Sequence, residues 1–301
     1  MTGGFQRAAG RTTAATAQLG RPGPLRIRRM RTLGIGTRAI EGGPEDSSEA
    51  ILLLHGNPGS AEDWAFVQPR LAELGRVIAF DLPGFGNADR PQDWDYSPLS
   101  YAAFIEAALE ELRVERTHLV MHDLGGLALL WAANHPEQFA SGVLINTGNL
   151  LDFRWHLLAR LYRTRGIGEL LVALATRQLF RVAISRLNPQ PRRLPSAVVD
   201  RMSGEYDRGT RRAAMRFYRA TPAEAMGALA PVLRPLDKPA LVIWGRHDPF
   251  IPVEQAHRQR ESFPSAEIAL FEDSGHWPHL DDPERAAQEM TNFLKRQLEG
   301  S

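Results

Sequence analysis

The sequence predicts an α/β fold, a mostly parallel sheet flanked by helices with an all-helical segment inserted. Three observations predict it. From about residue 31, short apolar runs alternate with longer amphipathic stretches, the pattern of strands joined by crossover helices. The run Ala50–His55 is continuously apolar and opens into HGNPGS, as a buried parallel strand entering a turn does. The interval 150–236 breaks the alternation with several helical patterns and no clear strand.

The elements follow in order. After Ala50–His55, Trp64–Leu74 reads as a helix and Arg76–Asp81 as the next strand, closed by LPGFGNADRP, whose Gly and Pro residues force a loop. Leu99–Leu112 is helical and Thr117–Met121 is a strand. Gly125–His135 is a helix that Pro136 stops. Ser141–Asn146 and Ala240–Trp244 are further strands, Glu267–Phe271 is the last, and Pro283–Leu298 is a closing helix. These divide the chain into an extension (1–30), a sheet core (31–149 and 237–301) and a helical cap (150–236). No internal repeat is present.

Composition narrows the chemistry. With 301 residues, 43% hydrophobic, the chain suits one globular domain with a lid and a large core. No apolar run reaches the roughly 18 residues of a membrane span. The absence of cysteine excludes disulfides and thiolate metal sites. Net charge is +1, but residues 1–40 hold eight arginines and no acid, so the rest carries 28 basic against 35 acidic groups. The body is therefore acidic and is not expected to bind nucleic acid. The opening stretch is Arg-, Ala-, Gly- and Thr-rich without apolar periodicity, and is expected to be a disordered basic extension. It resembles the Arg-rich leaders of organelle proteins and lacks the apolar segment of a secretory signal. The location expected is cytoplasmic.

The strongest local feature is Val120-Met121-His122-Asp123-Leu124-Gly125-Gly126, where a strand must turn directly into a helix. Such a turn pushes its central side chain, Asp123, out at the carboxyl edge of the sheet, where open α/β sheets bind ligands. The helix N-terminus favours an anion there. Asp123 could also be a plain N-cap; its partners favour a nucleophile. Asp248 ends the strand Ala240–Trp244 region, and His276 follows it by 28 residues on a loop flanked by Gly and Pro. His276 is the candidate base and Asp248 the acid that fixes its tautomer. In His55-Gly56-Asn57-Pro58, the Asn57 N–H can face the nucleophile and form an oxyanion hole with the N–H of Leu124. No His/acid pairing has metal-ligand spacing, and no metal or cofactor is expected.

HGNP, DLPGFG, HDLGG, GRHDPFIP and SGHWPH, spread over residues 51–285, together resemble the α/β-hydrolase superfamily. Within it they resemble the epoxide hydrolase and haloalkane dehalogenase branch, which carries Asp at the elbow. The resemblance implies a covalent alkyl ester on Asp123, hydrolysed by water that His276 activates. It also implies donors for the leaving group. Dehalogenases of this branch usually have Trp after the nucleophile; Leu124 has no donor, and Asn57 matches only the second halide donor. Epoxide hydrolases take an acid from lid tyrosines, and Phe217-Tyr218-Arg219 resembles the segment bearing one. Tyr162 and Tyr206, the other lid tyrosines, match no motif. Trp155 and His156 are alternative donors at the lid entrance. Met121 departs from the small residue expected two before the nucleophile.

The function expected is thus hydrolysis of a small organic substrate, epoxide-like first. Haloalkane dehalogenation, ester or lactone hydrolysis with Asp123 as general base, and non-catalytic ligand binding are the alternatives. The expected partners are a small-molecule substrate and no nucleic acid or membrane, in a monomer or homodimer.

Overall fold

The computed structural model describes residues 24–187 and 194–300. Eight strands form one sheet in the order β1-β2-β4-β3-β5-β6-β7-β8. They are β1 (Arg26–Thr32), β2 (Ile35–Gly42), β3 (Glu49–Leu54), β4 (Arg76–Phe80), β5 (Arg116–His122), β6 (Phe139–Ile145), β7 (Ala240–Gly245) and β8 (Glu267–Phe271). The pairings from β4 through β3 to β8 are parallel; β1–β2 and β2–β4 are antiparallel. The central strands are buried along nearly their whole length and largely apolar because both sheet faces are covered.

The two faces carry separate cores. One packs against helices α1 (Pro98–Glu111) and α2 (Ala128–Asn134), with Leu52, Leu54, Leu119 and Leu144 fully buried. The other packs Ile51, Leu53, Val143 and Ile243 against the closing helix, Pro283–Glu299. Each such side chain contributes about 1.5–3 kcal/mol by leaving water.

Between β6 and β7 the chain is all-helical among the described residues, forming the cap. Its main helices are α3 (Leu157–Arg163), α4 (Ile167–Leu174), α5 (Arg177–Leu187), α6 (Ser196–Glu205) and α7 (Arg208–Ala220). Arg201 of α6 ties the cap to the core, pairing with the buried Asp63 at 2.5 Å and donating to Ser60 Oγ at 3.0 Å. Burial alone would depress this guanidinium's pKa, but Asp63 and Glu205 outweigh it and hold it charged.

Several sequence readings are corrected here. The expected extension, residues 1–30, lies outside the described residues up to residue 23, but from Arg26 the chain is strand β1, paired residue for residue with β2. The pattern Arg-Ile-Arg-Arg-Met-Arg concealed it, since an edge strand with one solvated face tolerates arginines that also deter edge pairing. The helix expected over 64–74 is two short pieces, Ala61–Trp64 and Gln68–Leu71. Pro69 sits in the first turn of the second, where its missing N–H costs nothing. The helix after the elbow begins as a tight turn, Asp123–Leu127, before α2. No described helix is long and apolar enough to cross a membrane.

Candidate active site

Four polar groups of the candidate site project from the carboxyl edge of the sheet. Asn57 follows β3, Asp123 follows β5, Asp248 follows β7 and His276 follows β8. This is where the strands of an open α/β sheet leave their loops around a ligand crevice.

Asp123 sits at φ 44°, a left-handed conformation that side chains other than Gly rarely adopt. The local sequence holds it there by close packing. A Cβ on Gly125 would lie 2.3 Å from the Leu54 carbonyl oxygen, and one on Gly56 would lie 2.8 Å from Asp123 Cβ. Only glycine lets the elbow and the β3 loop approach so closely. Thr147 Oγ1 donates to the Asp123 carbonyl at 2.6 Å and fixes the turn from behind. Met121, two before Asp123, is fully buried, its Cε lying beside Gly142 of the neighbouring strand.

The Asp123 carboxylate is a quarter exposed, toward a cavity of about 190 Å³. Its Oδ2 accepts from the Asn57 N–H at 2.8 Å, and the Leu124 N–H also donates to the carboxylate. These are the two donors expected of an oxyanion hole. Burial raises the Asp123 pKa, while His276 and the two backbone donors oppose the rise.

His276 is buried. Its Nδ1–H donates to Asp248 Oδ2 at 2.7 Å, leaving the Nε2 lone pair facing Asp123 Oδ1 at 4.0 Å. That gap is too long for a hydrogen bond, so Nε2 is free to take a proton from water. Burial depresses the imidazole's pKa, but the charge and hydrogen bond of Asp248 outweigh it, so the net shift is upward. Asp248 is fully engaged, its Oδ1 accepting from the N–H groups of Phe250 (2.7 Å) and Ile251 (3.0 Å).

Two positioning groups escaped the sequence reading. Asn146, just after β6, donates to Asp248 Oδ2 at 2.5 Å, and its Oδ1 accepts from the Gly245 N–H at 3.0 Å. His122 contacts the His276 carbonyl through Nε2 at 2.8 Å; burial keeps its imidazole neutral, so Nε2–H is the donor. The signal for Asn146 was its place at a strand's carboxyl end beside two strands that already carried site residues.

The cap completes the cavity. Tyr218 on α7 reaches down, its hydroxyl accepting from Asn57 Nδ2 at 3.2 Å. Burial and the nearby Asp123 charge push its pKa well above 10, so it carries its proton throughout the working range. Tyr162 stacks on Tyr218, and its hydroxyl is hydrogen-bonded to that of Tyr206. Trp155 and His156, the alternative donors, also line the cavity. The Trp155 indole N–H is taken by the Thr221 carbonyl at 3.3 Å. His156 caps α3, its Nδ1 accepting from the Ala159 N–H, and burial lowers its pKa to about 4. Neutral at pH 7, it carries its proton on Nε2, a hydrogen-bond donor but a far weaker acid than an imidazolium. Leu124 contributes its backbone donor and an apolar wall. No group of His or acidic side chains among the described residues is arranged to hold a metal ion.

A family model described as alpha/beta hydrolase fold matches residues 49–283. The chain is 29% identical over 259 residues to a 2-hydroxy-6-oxononadienedioate/2-hydroxy-6-oxononatrienedioate hydrolase of Paraburkholderia phymatum, covering 82% of this chain and 87% of that one. Among solved structures it resembles haloalkane dehalogenase DbeA from Bradyrhizobium elkani, with TM-score 0.80 and 22% identity over 92% of this chain and 100% of that one. It also resembles the epoxide hydrolase CorEH, with TM-score 0.78 and 18% identity over 91% and 99% of the two chains. At these identities the two structures share the fold.

Proposed function

The chain belongs to the α/β-hydrolase fold family and is an enzyme acting on a small organic substrate, and from that premise we propose that it opens epoxides through an alkyl ester on Asp123. The observation that carries the reading is the position of a permanently protonated Tyr218 hydroxyl. Asn57 links it to the Asp123 carboxylate, on the cavity side of the nucleophile.

The steps follow from the geometry. Asp123 attacks an epoxide carbon, the C–O bond breaks, and Tyr218 gives its proton to the departing oxygen. Nδ1–H of His276 stays on Asp248 while Nε2 takes a proton from water. The resulting hydroxide adds to the ester carbonyl of Asp123, and the N–H groups of Asn57 and Leu124 hold the developing oxyanion. Collapse frees the diol and restores the carboxylate, the proton on His276 passing to Tyr218 through solvent in the cavity.

A halide leaving group is supported less well. Leu124 has no side-chain donor, Trp155 Nε1 is committed to Thr221, and Asn57 Nδ2 already donates to Tyr218. A second reading, hydrolysis beside a carbonyl with Asp123 as general base, draws on the name of the Paraburkholderia relative. The test is to replace His276 with Gln, incubate with panels of epoxides, haloalkanes and esters, and weigh the intact protein. A stable adduct on Asp123 from epoxides supports the proposal. An adduct from haloalkanes alone, or esterase turnover that survives Asp123→Asn with no adduct, overturns it.

A further inference from the structure

The cavity has a charged end at Asp123. Most of the wall beyond it is apolar, built from residues such as Leu127, Leu171, Phe180, Ile184 and Phe217. Arg211 interrupts that wall, and it is the one permanent cation among the residues lining the cavity.

Arg211 is only 8% exposed. Its Nε donates to the Val172 carbonyl at 3.3 Å and its Nη1 to the Tyr206 carbonyl at 2.8 Å. Both carbonyls lie at helix C-terminal ends, of α4 and α6, so they fix the guanidinium and carry partial negative charge. Neither supplies a full countercharge. No carboxylate among the described residues lies within 4.0 Å of Arg211, whereas the less buried Arg201 of the same cap has Asp63 and Glu205. The undescribed residues contain no Asp or Glu. Two of the five N–H groups of a guanidinium are thus used, and Nη2 makes no hydrogen bond among the described residues. A buried charge in this condition is costly unless an anion joins it.

The helix sets the distance from Arg211 to the chemistry. Arg211 and Tyr218 are seven residues apart on α7, two turns along one face, which is roughly 10 Å at a rise of about 1.5 Å per residue. Tyr218 marks the reacting end through Asn57 and Asp123.

We infer that Arg211 binds the carboxylate of an amphipathic organic acid, whose apolar body fills the cavity and places the reacting carbon at Asp123. A carboxylate suits the planar fork, which pairs with it through two parallel hydrogen bonds. The inference rests on the proposed function only for where the reacting carbon lies, so its test uses binding without turnover.

Octanoate and octanamide are titrated by calorimetry into the wild-type protein, Arg211→Gln and Arg211→Lys. Octanoate binds the wild type at least about tenfold more tightly than the amide, as a charge-assisted contact requires. In Arg211→Gln the two ligands differ by less than twofold, and Arg211→Lys recovers part of the preference. A residue that merely staples Val172 and Tyr206 would, when replaced, weaken both ligands equally and leave their ratio unchanged. Equal binding of acid and amide by the wild type overturns the inference even if Arg211→Gln does not fold, as does a preference that persists in Arg211→Gln. Neither result depends on whether Asp123 forms an ester.

Discussion

Replacing Tyr218 with Phe separates the two half-reactions. The variant removes the hydroxyl that would protonate the epoxide oxygen and leaves Asp123, Asp248 and His276 in place. General-acid assistance is worth roughly 10²–10⁴-fold. Formation of the Asp123 ester is therefore expected to slow by about 10²–10³-fold. Its hydrolysis, which uses His276, should change less than about threefold. The structure also sets a stability cost. Asn57 Oδ1 is already buried without a partner, and without the Tyr218 oxygen Nδ2 loses its own. The cost is about 1–3 kcal/mol, or a few degrees in Tm. Stopped-flow fluorescence suits the measurement, because Trp155 packs edge-on to Tyr218 with centroids 5.2 Å apart. Single-turnover ester formation within threefold of wild type would refute the role of Tyr218 as the acid.

Asn146→Ala removes a donor to Asp248 and an acceptor for Gly245, so kcat should fall about tenfold or more and stability by about 1–3 kcal/mol, read by urea titration. Ester hydrolysis needs neutral His276, so its rate should rise with pH through a His276 pKa above the usual 6.5; Asp248→Asn removes the attraction that outweighs burial and should move this limb to lower pH, seen in a kcat profile. The same upward shift contributes stability that is fully present below the unfolded value of about 6.5 and is lost as pH rises through the folded value. Gly125→Ala should cost about 1–3 kcal/mol or more, or fail to fold, because its Cβ would meet the Leu54 carbonyl at 2.3 Å; circular dichroism on heating shows which.

The parallel sheet was legible because buried strands read as unbroken apolar runs: Ala50–His55 differs from the observed strand by a residue at each end, and Ala240–Trp244 by one residue at its carboxyl end. The β1–β2 hairpin was not, because its solvated face carries arginines and mimics a charged tail. Within the site, Asp123, Asp248, His276 and Asn57 were legible from chain order and glycine spacing, and the fold brings them together. What spacing could not supply was direction. Trp155 and His156 sit on the cavity wall as expected, yet neighbouring backbone groups take up Trp155 Nε1 and His156 Nδ1. Asn146 acts through Asp248, 102 residues away, and Arg211 is held in part by Val172, 39 residues away, which no local pattern reveals.

The central claim is that an oxygen of Asp123 itself attacks the substrate. A single turnover of excess wild-type enzyme with an epoxide in heavy-oxygen water tests it most directly, followed by mass analysis of the diol and of the peptide containing Asp123. The ester route breaks the bond between the Asp123 carbonyl carbon and the oxygen given to the substrate, so the heavy oxygen should appear in Asp123 and the first diol should contain none. A labelled first diol with an unlabelled Asp123 would mean that water attacks the substrate directly, and would contradict the account.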